Sequence, residues 1–255
     1  MTDHRAIVYP VKGKKPPKTG SIALIAATQP DMGLLSRLAD CPVVEERKLY
    51  MSTLRVFADD QQRFTAVGPF MGAPYAAMIV ESLKVWGVES VLFVGWSGAV
   101  SRRVKTGDII LPDSAISDEG TSGHYRVSSS STAHPSLPLF RQTKMALEKL
   151  GGTFHEGKIW STDAIFRETV QKVKHYQQID ALAVDMELSA VFTVADFRRM
   201  HAAGLLVVSD EISNYEWHPG FARPEFKAAR VTVCKAALMV ATTFGTRSVR
   251  RENEA

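Results

Sequence analysis

The 255-residue sequence has few cysteines and lacks a long apolar run, and both absences exclude classes of protein. Cys41 and Cys234 stand in unrelated contexts without metal-ligand spacing. This predicts buried small side chains rather than a disulfide framework, a metal site or a nucleophile. No run approaches the ~18 consecutive apolar residues of a membrane span, and no signal-peptide core follows the basic start. We expect a reduced, cytoplasmic protein without a membrane partner.

The excess of one sign of charge over the other is also small. The net charge is +4, and part of it lies near the two ends, at 12–18 and 247–251. The sequence shows neither a basic face interleaved with aromatic residues nor a nucleic-acid-binding motif, so we expect no nucleic-acid partner. A mild basic surplus is typical of a protein that binds small anions.

Continuous apolar runs alternate with segments of helical spacing. The apolar runs are 21–27, 64–67, 90–95, 108–112 and 204–210, and the helical segments are 73–87, 186–203 and 224–244. Such runs are typical of strands buried on both faces, and the alternation predicts a mixed, largely parallel sheet covered by helices. We expect one α/β domain over 21–246, after an irregular lead-in over 1–20 and before a charged tail over 247–255.

In such a sheet, ligands bind beyond the carboxyl ends of the strands. One segment in that position is the glycine-rich stretch Gly95-Trp96-Ser97-Gly98. Read as a turn, it would let backbone N–H groups approach an anion. A purely structural turn is the alternative, since no Lys-Ser/Thr pair follows to complete a nucleotide-binding loop.

Two acidic segments are further candidates. Asp185 and Glu187 bracket Met186 where a predicted strand gives way to a helix, so a carboxylate there could accept from two vicinal hydroxyls above an apolar Met. The alternative is an acidic helix start favoured by the helix dipole. Asp210 follows a buried run, where an acid in a partly apolar pocket can donate a proton. Its alternative is a cap, made by Ser209 or by Asp210 itself.

Seven segments, in order along the chain, together resemble the family that contains the hexameric purine nucleoside phosphorylases, the uridine phosphorylases and the methylthioadenosine nucleosidases. They are ALIAATQPDM, MGAPYAAMIVESL, VGWSGAV, TGDIILPDSAISDEGTSGHY, WSTDAIFRET, VDMEL and VVSDE. The resemblance implies a three-layer αβα sandwich and cleavage of the bond between a base and ribose. It also implies a homo-oligomer, from dimer to hexamer, with shared active sites.

The resemblance assigns roles to particular residues. Glu187 would hold the ribose 2′- and 3′-hydroxyls, next to Asp185, and Met186 would contact the sugar. Ile165 and Phe166 would lie by the base. Asp210 matches the acid that protonates N7 of a purine in purine-cleaving members, so it favours a purine substrate.

Further residues match the positions that bind phosphate or reach a neighbouring subunit. The phosphate positions are Thr28, Gly95, Trp96 and Ser97. Arg47 matches an arginine lent to the neighbour's phosphate site. Tyr9 matches an N-terminal histidine that reaches the neighbour's ribose, with His4 a displaced substitute.

The chain departs from the family where phosphate binds. Met32 and Phe93 stand where the family has arginines, and Trp96 replaces a Thr. Losing two charge-assisted donors weakens anion binding, and Arg47, Arg102 or Arg103 would have to compensate.

Three hypotheses follow from the resemblance and these departures. The first is a phosphorylase with a rebuilt phosphate site, the second a nucleosidase that uses water, and the third a non-catalytic nucleoside-binding protein. We expect no metal and no cofactor, with phosphate as the co-substrate.

Overall fold

The computed structural model describes residues 6–125 and 130–253, with side chains as far as Phe244. His4 lies outside the described residues. The strands are β1 (Ile22–Ala26), β2 (Val43–Leu49), β3 (Ser52–Ala58), β4 (Arg63–Gly68), β5 (Ser90–Ala99), β6 (Ile109–Asp118), β7 (Thr132–Ala133), β8 (His155–Thr162), β9 (Ala181–Asp185), β10 (His201–Glu211) and β11 (His218–Pro219). The helices are α1 (Gln29–Leu38), α2 (Ala73–Val85), α3 (Leu137–Lys149), α4 (Val170–Gln178), α5 (Leu188–Phe197) and α6 (Pro224–Asn253). Two 3₁₀ turns cover Ser122–His124 and Ile165–Arg167.

All five strands predicted from apolar runs are present. They are β1, β4, β5, β6 and β10, and β1 is buried at each of its residues because α-helices cover both faces of the sheet. This burial explains why these strands show no alternation of polar and apolar residues.

Strand β5 is the centre of the sheet. Its first half pairs in parallel with β1, and nearly its whole length pairs in parallel with β10. Its last residues, Gly98 and Ala99, also pair with β9. From β10 the sheet continues through β6 and β8 to β9, which returns to β5 and closes a ring. On the other side, β1, β4, β3 and β2 form an open edge that ends in antiparallel pairs.

Two apolar layers sandwich this sheet. Helices α2 and α5 pack together on one face, and α1, α3 and α6 cover the other. The fold class predicted from the sequence, a single α/β domain with three layers around a mixed sheet, is therefore confirmed. Both cysteines are free and buried, as predicted. Within the described part of the chain, no helix is long and apolar enough to cross a membrane.

The structure corrects four boundaries. Residues 95–98 are not a turn, because pairing with β10 and β9 keeps them inside β5. Residues 29–32, which include the Met32 position where the resemblance places phosphate binding, begin helix α1. The helix predicted over 186–203 ends at Phe197, just before Arg199 takes a positive φ of 54°, and β10 then starts at 201. The predicted tail is helical as far as Asn253.

Candidate active site

Asp185 is the last residue of β9, and its carboxylate organises the start of α5. One oxygen accepts from the backbone N–H of Leu188 at 2.8 Å and from that of Glu187 at 3.3 Å. The other oxygen accepts from the Ser161 hydroxyl. Burial raises the pKa of Asp185 to about 6, against the lowering effect of these donors. Because both oxygens are engaged, Asp185 holds the backbone at the start of α5 and so positions Glu187.

Glu187 is the buried carboxyl group that Asp185 positions. Its Oε1 accepts from the backbone N–H of Gly72 at 2.7 Å, and its Oε2 from that of Met186 at 3.3 Å. Gly72 immediately precedes α2, with a φ of 84° that favours glycine. Burial, followed by the charge of Asp185, raises the pKa of Glu187 to about 8. A carboxyl group with this pKa is largely protonated near pH 7, so Glu187 can accept from two hydroxyl groups only after it loses its proton.

Asp210 lies near the end of β10, across β5 from the Asp185–Glu187 segment. Its Oδ2 accepts from the indole N–H of Trp217 at 3.0 Å, and its Oδ1 from the Ser209 hydroxyl at 2.6 Å. Gly98 of β5 pairs with both Asp210 and Val184. A side chain at Gly98 would meet the Asp210 carboxylate at 3.2 Å. The absence of a side chain at Gly98 therefore leaves room for the Asp210 carboxylate.

The base segment predicted from the sequence is exposed. Ile165 and Phe166 form the 3₁₀ turn after β8, with 51 % and 97 % of their surfaces accessible. Glu168, directly after this turn, is a residue that sequence reasoning missed. Burial and the charge of Asp210 raise the pKa of Glu168 to about 7, against the lowering effect of Lys172. The only sequence signal was its position beside the predicted base segment.

A buried ionic cluster fills the corner where the family resemblance predicted phosphate. Asp31, 1 % exposed, accepts from the Thr28 hydroxyl at 2.8 Å and from the Trp96 indole N–H at 2.6 Å. Its other oxygen accepts from Nε of Arg230 at 2.7 Å. The Arg230 guanidinium also stands 5.1 Å from the centre of the Trp96 ring. Asp31 and Arg230 were not identified from the sequence.

At the two positions where the family has arginines, this chain has apolar residues that belong to the core. Met32 packs in the layer under α6, and Phe93 packs against Phe70 on the opposite face of the sheet. Both side chains are almost fully buried. Ser97 is also buried, and its carbonyl accepts from Ser209. Hence the 95–98 stretch serves the sheet rather than forming an open cradle of N–H groups.

The other predicted anion-binding arginines contact different groups. Arg47, on the edge strand β2, pairs with Glu45 and donates to the carbonyl of Lys15 at 2.8 Å. Arg103 pairs loosely with Asp180 at 3.6 Å. Within one chain, neither arginine therefore supplies the positive charge that is missing near Asp31.

Two more predicted contacts lie at the surface. Arg102 lines a small groove of about 210 Å³ with Glu211 and His218. Tyr9 lies in the N-terminal segment with 55 % of its surface exposed. The expectation that Tyr9 and Arg47 complete a neighbour's pocket stays a prediction.

The fold and these acids define an α/β protein with a candidate site at the strand ends around β5. The chain belongs to the phosphorylase superfamily, whose model matches residues 21–244. The family seen in the sequence, that of the purine nucleoside and uridine phosphorylases, is thereby confirmed.

Individual relatives are distant. A guanosine phosphorylase of Halorubrum lacusprofundi is 28 % identical over 200 residues, which cover 76 % of this chain and 80 % of that protein. A DeoD-type purine nucleoside phosphorylase of Brevibacillus brevis is 29 % identical over 154 residues, 59 % of this chain and 65 % of the relative. The match thus spans a little under two thirds of the second enzyme.

Solved structures share the fold at lower identity. Uridine phosphorylase from Vibrio fischeri superposes with a TM-score of 0.76 at 23 % identity, over 89 % of this chain and 92 % of that one. Purine nucleoside phosphorylase from Toxoplasma gondii, in complex with immucillin-H, superposes with a TM-score of 0.81 at 14 % identity. The match covers 95 % of this chain and 100 % of that one. At these identities the likeness shows the fold alone.

Proposed function

We propose that this chain cleaves the N-glycosidic bond of a purine ribonucleoside and transfers the ribose to phosphate, giving free base and ribose 1-phosphate. The observation that carries the proposal is a pair of acids beside Gly98: Glu187 follows the end of β9 at the start of α5, and Asp210 lies near the end of β10. Glu187 is buried and held by backbone donors, whereas Asp210 is half-buried and held by an indole. Their different surroundings suit different tasks.

The chemistry assigns one task to each acid. As the bond from the sugar C1′ to the base breaks, its electrons move into the base and C1′ becomes cationic. Asp210 donates a proton to the base at N7, which makes it a better leaving group. Ionised Glu187 accepts from the ribose hydroxyls and stabilises the positive sugar. An oxygen of phosphate then bonds to C1′, so that bonds and charges balance.

The relatives support both the acceptor and the base. The guanosine and purine nucleoside phosphorylases that match this chain are named for phosphate-dependent cleavage of purine nucleosides. Asp210 occupies the position that the family resemblance gives to the acid of purine-cleaving members. We extend the proposal to a cytoplasmic homo-oligomer that acts in purine salvage.

Hydrolysis is the second candidate, and one observation favours it. The buried carboxylate of Asp31 lies at the acceptor corner, and Trp96 fills space there. A negative charge and a bulky ring both oppose entry of an anion, whereas water is neutral and small. With water as acceptor, the sugar product is free ribose.

Product analysis separates the two candidates. Purine ribonucleosides are incubated in phosphate buffer and in a phosphate-free buffer of equal ionic strength, and the sugar is identified. Ribose 1-phosphate that increases with phosphate concentration is the expected result. Free ribose at a rate indifferent to phosphate would establish hydrolysis instead. Uridine in place of a purine nucleoside tests the base, and faster cleavage of uridine would contradict the purine assignment.

A further inference from the structure

We infer that Arg230 binds the acceptor phosphate, in place of the two arginines that this chain lacks. The inference rests on the proposed phosphorolysis and names the residue that makes it possible. Arg230 lies inside α6, far along the chain from the other acceptor residues, and its side chain keeps only 13 % exposure. No motif of the sequence marks it.

The position of Arg230 relative to the catalytic acid follows from the pleat of β5. Leu92, Val94 and Trp96 pack on the face that α6 covers. Gly98 continues this alternation, because successive side chains of a strand point to opposite faces. A side chain at Gly98 would meet the Asp210 carboxylate. Hence Trp96 and the Asp210 carboxylate lie on the same face of the sheet, at β5 positions 96 and 98. The Arg230 guanidinium lies against the Trp96 ring on that face.

The contacts of Arg230 leave its two terminal nitrogens available for a ligand. Nε donates to Asp31 at 2.7 Å, and the guanidinium lies near the rings of Trp96 and Phe226, at 5.1 and 5.6 Å. No hydrogen bond of its two terminal nitrogens is found among the described residues. Those nitrogens form the fork that binds two oxygens of a phosphate.

Asp31 orients this arginine instead of repelling the ligand outright. Its carboxylate receives hydrogen bonds from Thr28, Trp96 and Arg230, so its oxygens are engaged with protein donors. A desolvated guanidinium held in this way interacts with an anion more strongly than one in water. The expected result is a phosphate site with one internal arginine and weak affinity.

The test compares Arg230→Gln with Arg198→Gln. Arg198 makes an ion pair of the same length, 2.7 Å, with Glu81 of α2, on the opposite face of the sheet. For Arg230→Gln we expect the KM for phosphate to rise about tenfold to a hundredfold, the loss of charge-assisted hydrogen bonds, with the KM for nucleoside unchanged. Arg198→Gln is expected to leave both constants unchanged. An unchanged KM for phosphate in Arg230→Gln would overturn the inference.

A binding measurement keeps the inference separate from the reaction. Inorganic phosphate, without nucleoside, should raise the Tm of the wild type and of Arg198→Gln relative to chloride at equal ionic strength, but not that of Arg230→Gln. Absence of this rise in the wild type overturns the role of Arg230. Free ribose as the product overturns phosphorolysis alone. If Arg230→Gln does not fold, Arg230→Lys replaces it, since lysine keeps the charge but lacks the two-pronged guanidinium. Its KM for phosphate should then exceed that of the wild type, and an unchanged KM would overturn the inference.

Discussion

At the scale of single residues, two carboxyl groups of the candidate site are held by different donors. Glu187 accepts from backbone N–H groups beside a second acid, and burial, followed by the charge of that acid, raises the pKa of Glu187 to about 8. Asp210, near the end of β10, accepts from an indole N–H and from a hydroxyl group. In the proposed reaction, Glu187 holds the sugar and Asp210 exchanges a proton with the base.

Glu187→Gln is expected to fold and to lose most of its activity. A neutral amide cannot accept from both ribose hydroxyls, so kcat/KM should fall. The fall should correspond to a loss of about 2–4 kcal/mol of transition-state stabilisation. The measurement is kcat/KM on a ribonucleoside and on its 2′-deoxy analogue, which offers one hydroxyl fewer. We expect a smaller loss on the analogue. Equal losses on both substrates would remove Glu187 from the hydroxyl site.

Asp210→Asn should affect substrates according to their leaving groups. The amide cannot donate the proton, so a natural purine nucleoside should suffer a loss of about 10²–10⁴-fold. A nucleoside with an activated leaving group needs no proton and should be cleaved at close to the normal rate. The two rates are compared at one pH. If both fall alike, Asp210 serves only to hold Trp217 and Ser209.

At the scale of elements, strand β5 joins the two halves of the site. Its pairing with β10 places Gly98 beside Asp210, and its pairing with β9 places the same glycine beside Val184, one residue before Asp185. The carboxyl ends of β9 and β10 are thereby brought to one place. The Gly-Trp-Ser-Gly stretch functions as strand backbone that both partners can approach.

Gly98→Ala tests this role of β5. The added methyl group would stand 3.2 Å from the Asp210 carboxylate and 3.4 Å from Val184, so the acid must shift by a few tenths of an ångström. We expect reduced kcat with the same leaving-group dependence as Asp210→Asn, and little change in Tm. Gly123→Ala is the control, because nothing lies within 4 Å of its added methyl group. Normal kcat in Gly98→Ala would show that Asp210 tolerates displacement.

At the scale of the whole molecule, apolar side chains remain exposed around the candidate site. Met71 and Phe166 are 75 % and 97 % accessible, and Trp217 is 63 % accessible. Met71 precedes the glycine that donates to Glu187, and Trp217 donates to Asp210. Exposed apolar groups of this kind are typical of a binding surface or a subunit interface.

We expect the protein to be at least a dimer, with a total buried interface above about 1,000 Å². The physical reason is that Arg47 and Tyr9 can contribute to catalysis only from a neighbouring subunit. Sedimentation at micromolar concentration, with activity measured on the same sample, checks this prediction. An active monomer would contradict it and would leave Arg47 a surface residue paired with Glu45.

The stability of the molecule should depend on pH through Glu187. Its pKa is raised in the fold, so the folded state retains a proton that the unfolded state has lost between about pH 4.5 and pH 8. The contribution of Glu187 to stability is therefore largest at low pH and is lost as the pH rises towards 8, at up to about 1.4 kcal/mol per pH unit. Urea unfolding at pH 5 and pH 8 is compared for the wild type and Glu187→Gln. The variant should gain relative stability at pH 8, and a difference independent of pH would contradict the assignment.

The sequence by itself determined the buried framework, and it suggested two acids for the candidate site. A strand covered on both faces must be apolar throughout, so β1, β4, β5, β6 and β10 could be predicted from their runs alone. Glu187 and Asp210 could be proposed because ligands of such sheets bind where strands end. The amphipathic edge strand β2 and the cap-initiated helix α1 lacked such a pattern and were missed.

Only the tertiary structure decided the geometry of the acceptor corner. A Gly-x-x-Gly stretch is compatible with a turn or a strand, and pairing with β9 and β10 selects the strand. Asp31 and Arg230 are 199 residues apart in the chain. Nothing local in either segment specifies their contact, because it arises when α6 packs against α1 over the apolar layer that contains Met32 and Trp96.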